Sequence, residues 1–132
     1  MSFNSNGNLV KSIFDALFGG GPPRAYRERS CQGRAWLRQF PDATKQEIRD
    51  FLSCFAEGFA YREREKLKFH PGDAVYSIYR AQYPTLGWGD ALELETLAAL
   101  LEKRYGFSLA GNWSESLTLG QVFSVALKRN DT

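Results

Sequence analysis

The chain is poor in the residues that usually announce chemistry. It holds two cysteines, Cys31 and Cys54, far apart, and a single histidine, His70. That is too few ligands for a zinc site, and it makes no disulfide framework of the kind that staples small secreted domains. Charge of one sign is also lacking: 17 basic residues face 15 acidic ones, a balance of +2 that does not by itself demand nucleic acid or a membrane surface. Long apolar runs are missing too. No window approaches the roughly 18 apolar residues of a membrane span, and Lys11 and Asp15 interrupt the apolar stretch near the start, unlike the h-region of a signal peptide. These absences predict a cytoplasmic protein with two free thiols, no metal and no cofactor.

What is present suits an ordinary folded chain. A hydrophobic share of 43% in 132 residues is enough for one domain with a modest core. No stretch shows sustained period-two alternation, so the expected class is all-α. Residues 1–23 read as a tail: Leu9, Val10, Ile13, Phe14, Leu17 and Phe18 recur at helical spacing, and Gly19-Gly20-Gly21-Pro22-Pro23 must end any helix there. Such a stripe suits packing on its own domain, or docking into a partner groove or onto a membrane surface. Residues 24–132 read as a single helical domain.

Within that domain the helix signals are local and specific. Thr44 followed by Glu47 has the spacing of a capping box, and Ile48, Phe51, Leu52, Phe55 and Phe59 then form an aromatic stripe. Gly58 is expected to bend that helix or to cost about 1 kcal/mol relative to alanine, and Arg62-Glu63-Arg64-Glu65-Lys66 to continue it as a solvated face. His70-Pro71-Gly72 breaks the chain; Asp73 is the expected N-cap of a short helix that buries Val75, Ile78 and Tyr79 and stops before Pro84. A third helix runs from its cap Asp90 to Tyr105 with Leu94, Leu97, Ala98 and Leu101 inward, and Gly106 is its left-handed stop. Thr118 caps the last one, carrying Leu119, Val122, Phe123, Ala126 and Leu127.

Three groups of residues could carry function. Arg24, Arg27, Arg29, Arg34 and Arg38, with Tyr26 and Trp36 among them, could bind phosphates and stack on bases, which makes a nucleic-acid or phosphate binder the alternative to a solvated arginine face. The carboxylates of Asp90, Glu93 and Glu95 cluster where a helix dipole favours negative charge, so capping alone accounts for them; a paired-carboxylate hydrolase would also need a cleft. His70 reads as a loop residue, with no partner at a spacing that suggests a nucleophile and base.

Over residues 69–127 the order of elements resembles the acyl carrier protein family. Gly89-Asp90-Ala91-Leu92-Glu93 is similar to the family's Gly-x-Asp-Ser-Leu-Asp region, Leu101-Glu102 with Tyr105-Gly106 to its Leu-Glu…Phe-Gly helix end, and Leu117-Thr118-Leu119-Gly120-Gln121-Val122 to the start of its last helix. The resemblance implies a small antiparallel helical bundle with an N-terminal extension, in which the Asp90 helix is the one that partners read. It also implies a loss. Ala91 stands where the family has the serine that carries phosphopantetheine, and alanine has no oxygen to accept the phosphodiester. Ser77, Ser108, Ser114 and Ser116 are not in the Asp-Ser-Leu context. The expected function is therefore a non-catalytic interaction domain, not phosphopantetheinylated, presenting Trp88, Asp90, Ala91, Glu93 and Glu95 to a basic patch on another protein.

Overall fold

In a computed structural model the described residues, 22–82 and 92–131, build a helical domain. Six α-helices follow in order: α1 (Arg24–Arg27), α2 (Gly33–Gln39), α3 (Lys45–Gly58), α4 (Val75–Gln82), α5 (Leu92–Tyr105) and α6 (Leu119–Asp131). Two 3-10 turns, Glu63–Lys68 and Ala110–Asn112, lie between them. Among the described residues there is no strand, only an isolated antiparallel bridge between Ala74 and Thr118, so the class is all-α. The apolar stripe at residues 9–18 and the loop Gly87-Trp88-Gly89 lie outside the described residues.

The helix α3 starts where its capping box says it should. Thr44 Oγ1 accepts the Glu47 N–H at 3.0 Å and Glu47 Oε1 accepts the Thr44 N–H at 2.8 Å, which satisfies two donors the first turn leaves free. Ile48, Phe51, Leu52 and Phe55 are buried. The end of α3 corrects the sequence reading, because the charged run does not prolong it. Ala60 takes φ +60°, its N–H bonds to Glu57 O at 3.1 Å, and the Tyr61 N–H reaches back to Ala56 O at 2.8 Å, the pairing of a Schellman stop. What ends the helix is burial beyond it: Tyr61 turns inward and stacks on Phe69, centroids 5.6 Å apart and planes within 5°. The run Glu63–Lys68 then starts a separate 3-10 turn.

Gly58 also has a different role from the one its helix propensity suggests. A Cβ there would lie 2.9 Å from both Cα and Cβ of Leu97, so the missing side chain is what lets α3 cross α5 this closely. Asp73 is corrected as well. Its carboxylate accepts two bonds from Arg29 and one from the His70 N–H, and α4 begins only at Val75. The start of α4 is held instead by backbone: Val75 N–H to Leu117 O and Leu119 N–H to Asp73 O, both 2.9 Å, which lock it beside the start of α6.

Two aromatic clusters fill the core. In one, Phe123 of α6 meets Trp36 and Phe40 edge-on at 5.7 and 4.9 Å and Phe51 at 5.2 Å. In the other, Phe55 meets Phe69 edge-on at 4.9 Å, and Tyr26 covers Phe69 from the opposite end of the chain at 5.4 Å. Phe51 and Phe55, one turn apart on α3, join the two. Val75, Ile78 and Tyr79 of α4 and Leu97 and Leu101 of α5 are buried as their spacing predicts. Gly106 ends α5 at φ +65°, and Thr118 caps α6 through reciprocal bonds with Gln121, 3.1 and 2.9 Å.

Two substitutions one turn apart should move stability in opposite directions. Gly58→Ala should lose about 1–3 kcal/mol by overpacking against Leu97, although propensity alone would have it gain. Ala60→Gly should gain up to about 1 kcal/mol by relieving a left-handed residue of its Cβ. Urea denaturation with an unchanged m-value measures both.

Candidate interaction surface

The residues proposed from sequence divide. Trp88, Asp90 and Ala91 lie outside the described residues. Glu93 and Glu95 stand in the first turns of α5, two positions apart and so on different sides of the helix; Glu93 is half-buried and Glu95 exposed. Glu95 borders a groove of about 350 Å³ whose other walls are Leu94 and Ala98 of α5 and Leu109, Ala110 and Trp113 of the loop that follows. Sequence reasoning missed that second wall. The available signal was Trp113, a large ring set among Gly111, Asn112, Ser114 and Glu115.

The groove is built from both sides. Leu97 and Leu101 anchor α5 in the core, which leaves Leu94 and Ala98 half-buried on its flank. Leu109 is buried and holds the loop, the Ala110–Asn112 turn closes with Asn112 N–H on Leu109 O at 3.2 Å, and Ser108 Oγ accepts the Gly111 N–H at 3.0 Å. Trp113 is steadied edge-on by Tyr76 at 6.1 Å yet stays 37% exposed. Close by in sequence, Leu92 is 57% exposed. The lining is largely hydrocarbon with one carboxylate at the edge. A second hollow, of about 450 Å³, is lined by uncharged groups including Ser114, Ser116, Gln121 and Ser124; Ser114 and Ser116 lie 3.2 Å apart and the Gln121 amide oxygen is used in the α6 cap.

The arginine segment loses half of its nucleic-acid reading. Tyr26 and Trp36 are 8% and 0% exposed, and the Trp36 indole N–H donates to Phe69 O at 2.8 Å, so neither ring is open to stack on a base. Arg24 pairs with Glu28, and Arg29 with Asp73; Arg27, Arg34 and Arg38 are exposed. His70 spends Nδ1 on the Gly72 N–H at 2.8 Å, inside its own turn.

The perturbed groups are shifted either by burial or by a hydrogen-bonded partner. Burial pushes the Cys54 thiol up, against the lowering effect of Arg104, which disfavours the nucleophilic thiolate. Lys66 and Ser53 hold the exposed Glu63 below the usual carboxylate range; the three side chains tie α3 to the following turn, Lys66 Nζ lying 2.8 Å from Ser53 Oγ. Burial, then the neighbouring Cys54, lifts Tyr105 to about 12. Among the described residues no three His, Cys, Asp or Glu side chains gather closely enough to hold a metal ion, and no helix is long and apolar enough to cross a membrane.

No protein-family model, curated protein or solved structure matches this chain.

The Tyr105 shift carries a pH prediction with a definite sign. Its pKa in the folded chain lies above the unfolded value, so the folded state holds the proton longer, and stability falls as pH rises between roughly 10 and 12. Thermal melts across that window should show a shallower decline for Tyr105→Phe than for the wild type.

Proposed function

We propose that this chain is a non-catalytic interaction module, a carrier-protein-like antiparallel bundle without the phosphopantetheine arm, which binds another protein along α5. The observation that carries the reading is the apolar groove between α5 and the Trp113 loop, edged by Glu95, on the same helix that follows Ala91. The order of elements supports the bundle: the long α3, a 3-10 turn, the short α4, then α5, a second 3-10 turn and a last helix, α6. Exposed Trp113 and Leu92 supply the apolar anchors that protein interfaces use, and the carboxylate of Glu95 favours a partner with basic residues at its rim. The docking residues are thus Leu92, Leu94, Glu95, Ala98 and Trp113, with Trp88, Asp90, Ala91 and Glu93 carried from the resemblance.

Two measurements test this. Incubation with coenzyme A and a broad-specificity phosphopantetheinyl transferase should leave the mass of the wild type unchanged; a gain of one phosphopantetheine would make it a carrier. For a protein cross-linked to the chain in its native host, Trp113→Ser and Glu95→Lys should each weaken binding by about tenfold or more, a hot-spot loss. Undiminished affinity in both variants would move the interface elsewhere.

A further inference from the structure

A four-residue helix such as α1 cannot order itself, because its nucleation cost exceeds what so few hydrogen bonds return. Its order must come from the ties of residues 22–32 to the rest, and those ties converge. Arg29 grips Asp73 with both arms of its guanidinium, Nη1 to Oδ2 at 2.7 Å and Nη2 to Oδ1 at 2.9 Å. The same guanidinium sits 4.8 Å from the centre of the Tyr26 ring, which it holds against Phe69. Lys68 Nζ bonds to Arg29 O, and the Gln32 N–H to Leu67 O at 2.7 Å. Apart from the Arg29–Tyr26 contact inside the segment, each of these contacts ends on residues 67–73.

What lies beneath is complete without them. Phe69 keeps its contacts with Phe55 and Tyr61, and its carbonyl keeps the Trp36 indole. Asp73 keeps the His70 N–H at 2.8 Å and its backbone bond to Leu119. On the outer side, Arg24, Arg27, Glu28, Ser30 and Cys31 are exposed, and Pro22 and Tyr26 are the segment's only buried residues, so little else resists separation. Segments held by few apolar contacts and a polar clasp open locally at lower free energy than a core.

We propose that residues 22–32 are a latched strap, which opens as a unit about Ser30–Gly33 when Arg29 leaves Asp73, baring Phe69 beside the Asp73 carboxylate, then without its cation, while α3 to α6 stay folded. The bared site has the chemistry to take an aromatic ring and a cation together, as Tyr26 and Arg29 fill it when closed.

Native-state hydrogen exchange on the full chain tests the strap. The amides of Tyr26, Arg27, Glu28, Arg29 and Gln32 should exchange together and faster than those of Phe55 in α3 and Val122 in α6. Val122→Ala, which thins the core, should speed the α3 and α6 amides about tenfold and leave the strap amides unchanged, since they exchange without global unfolding. Arg29→Gln should speed the strap amides about tenfold through loss of the bidentate pair. Strap amides that accelerate in step with the core in Val122→Ala would overturn the proposal, as would strap exchange indifferent to Arg29→Gln.

Discussion

The close crossing of α3 and α5 is the constraint on which the rest depends. Only a residue without Cβ lets Leu97 approach Gly58 this way, and the depth of that contact sets how far α5 sits into the core. With α5 seated there, Leu97 and Leu101 are buried while Leu94 and Ala98 are left on its flank, to form one wall of the groove. A side chain at 58 would push α5 outward, loosen Leu97 and change the groove's shape. α5 thereby serves two purposes, one stripe for the core and one for the surface.

The aromatic clusters set the remaining geometry. The inward turn of Tyr61 onto Phe69 ends α3, and Tyr26 arriving from the chain's start covers the same ring. One phenylalanine is thus shared by α3, the turn after it and the N-terminal strap, which explains why so many backbone and side-chain ties gather between Leu67 and Asp73.

Local signals were legible in the sequence. The Thr44–Glu47 box, the Thr118 cap, the Gly106 stop and most inward positions of α4 to α6 depend on residues within one or two turns of each other, and they stand where spacing places them; Leu94, Ala98 and Leu127, expected inward, are only half-buried, because Leu97 and Leu101 on α5 and Phe123 and Ala126 on α6 take the core positions. Four features were not legible because they depend on residues far apart. The end of α3 needs Phe69 as a platform for Tyr61; the role of Gly58 needs Leu97; Asp73 is claimed by Arg29 from 44 positions away; and the exposure of Trp113 is decided by where the loop meets α5. In the same way Tyr26 and Trp36, read from composition as rings beside arginines, proved to be core, because Phe69 and Phe123 offered them apolar surface. Of the candidate site, Glu95 could be named from sequence, whereas the apolar groove beside it could not.

The functional account joins a loss to a gain. On the proposed reading Ala91 stands where a carrier would have the hydroxyl for a phosphopantetheine arm, and the helix that follows it in sequence offers a partly exposed apolar groove with a carboxylate at its edge. The most direct measurement is an exchange footprint of the chain bound to a partner protein isolated from its native host. The account predicts protection concentrated on residues 92–98 and 109–113 with the arginine segment 24–38 unchanged. Protection confined to 24–38, with the groove left exchanging freely, would contradict it.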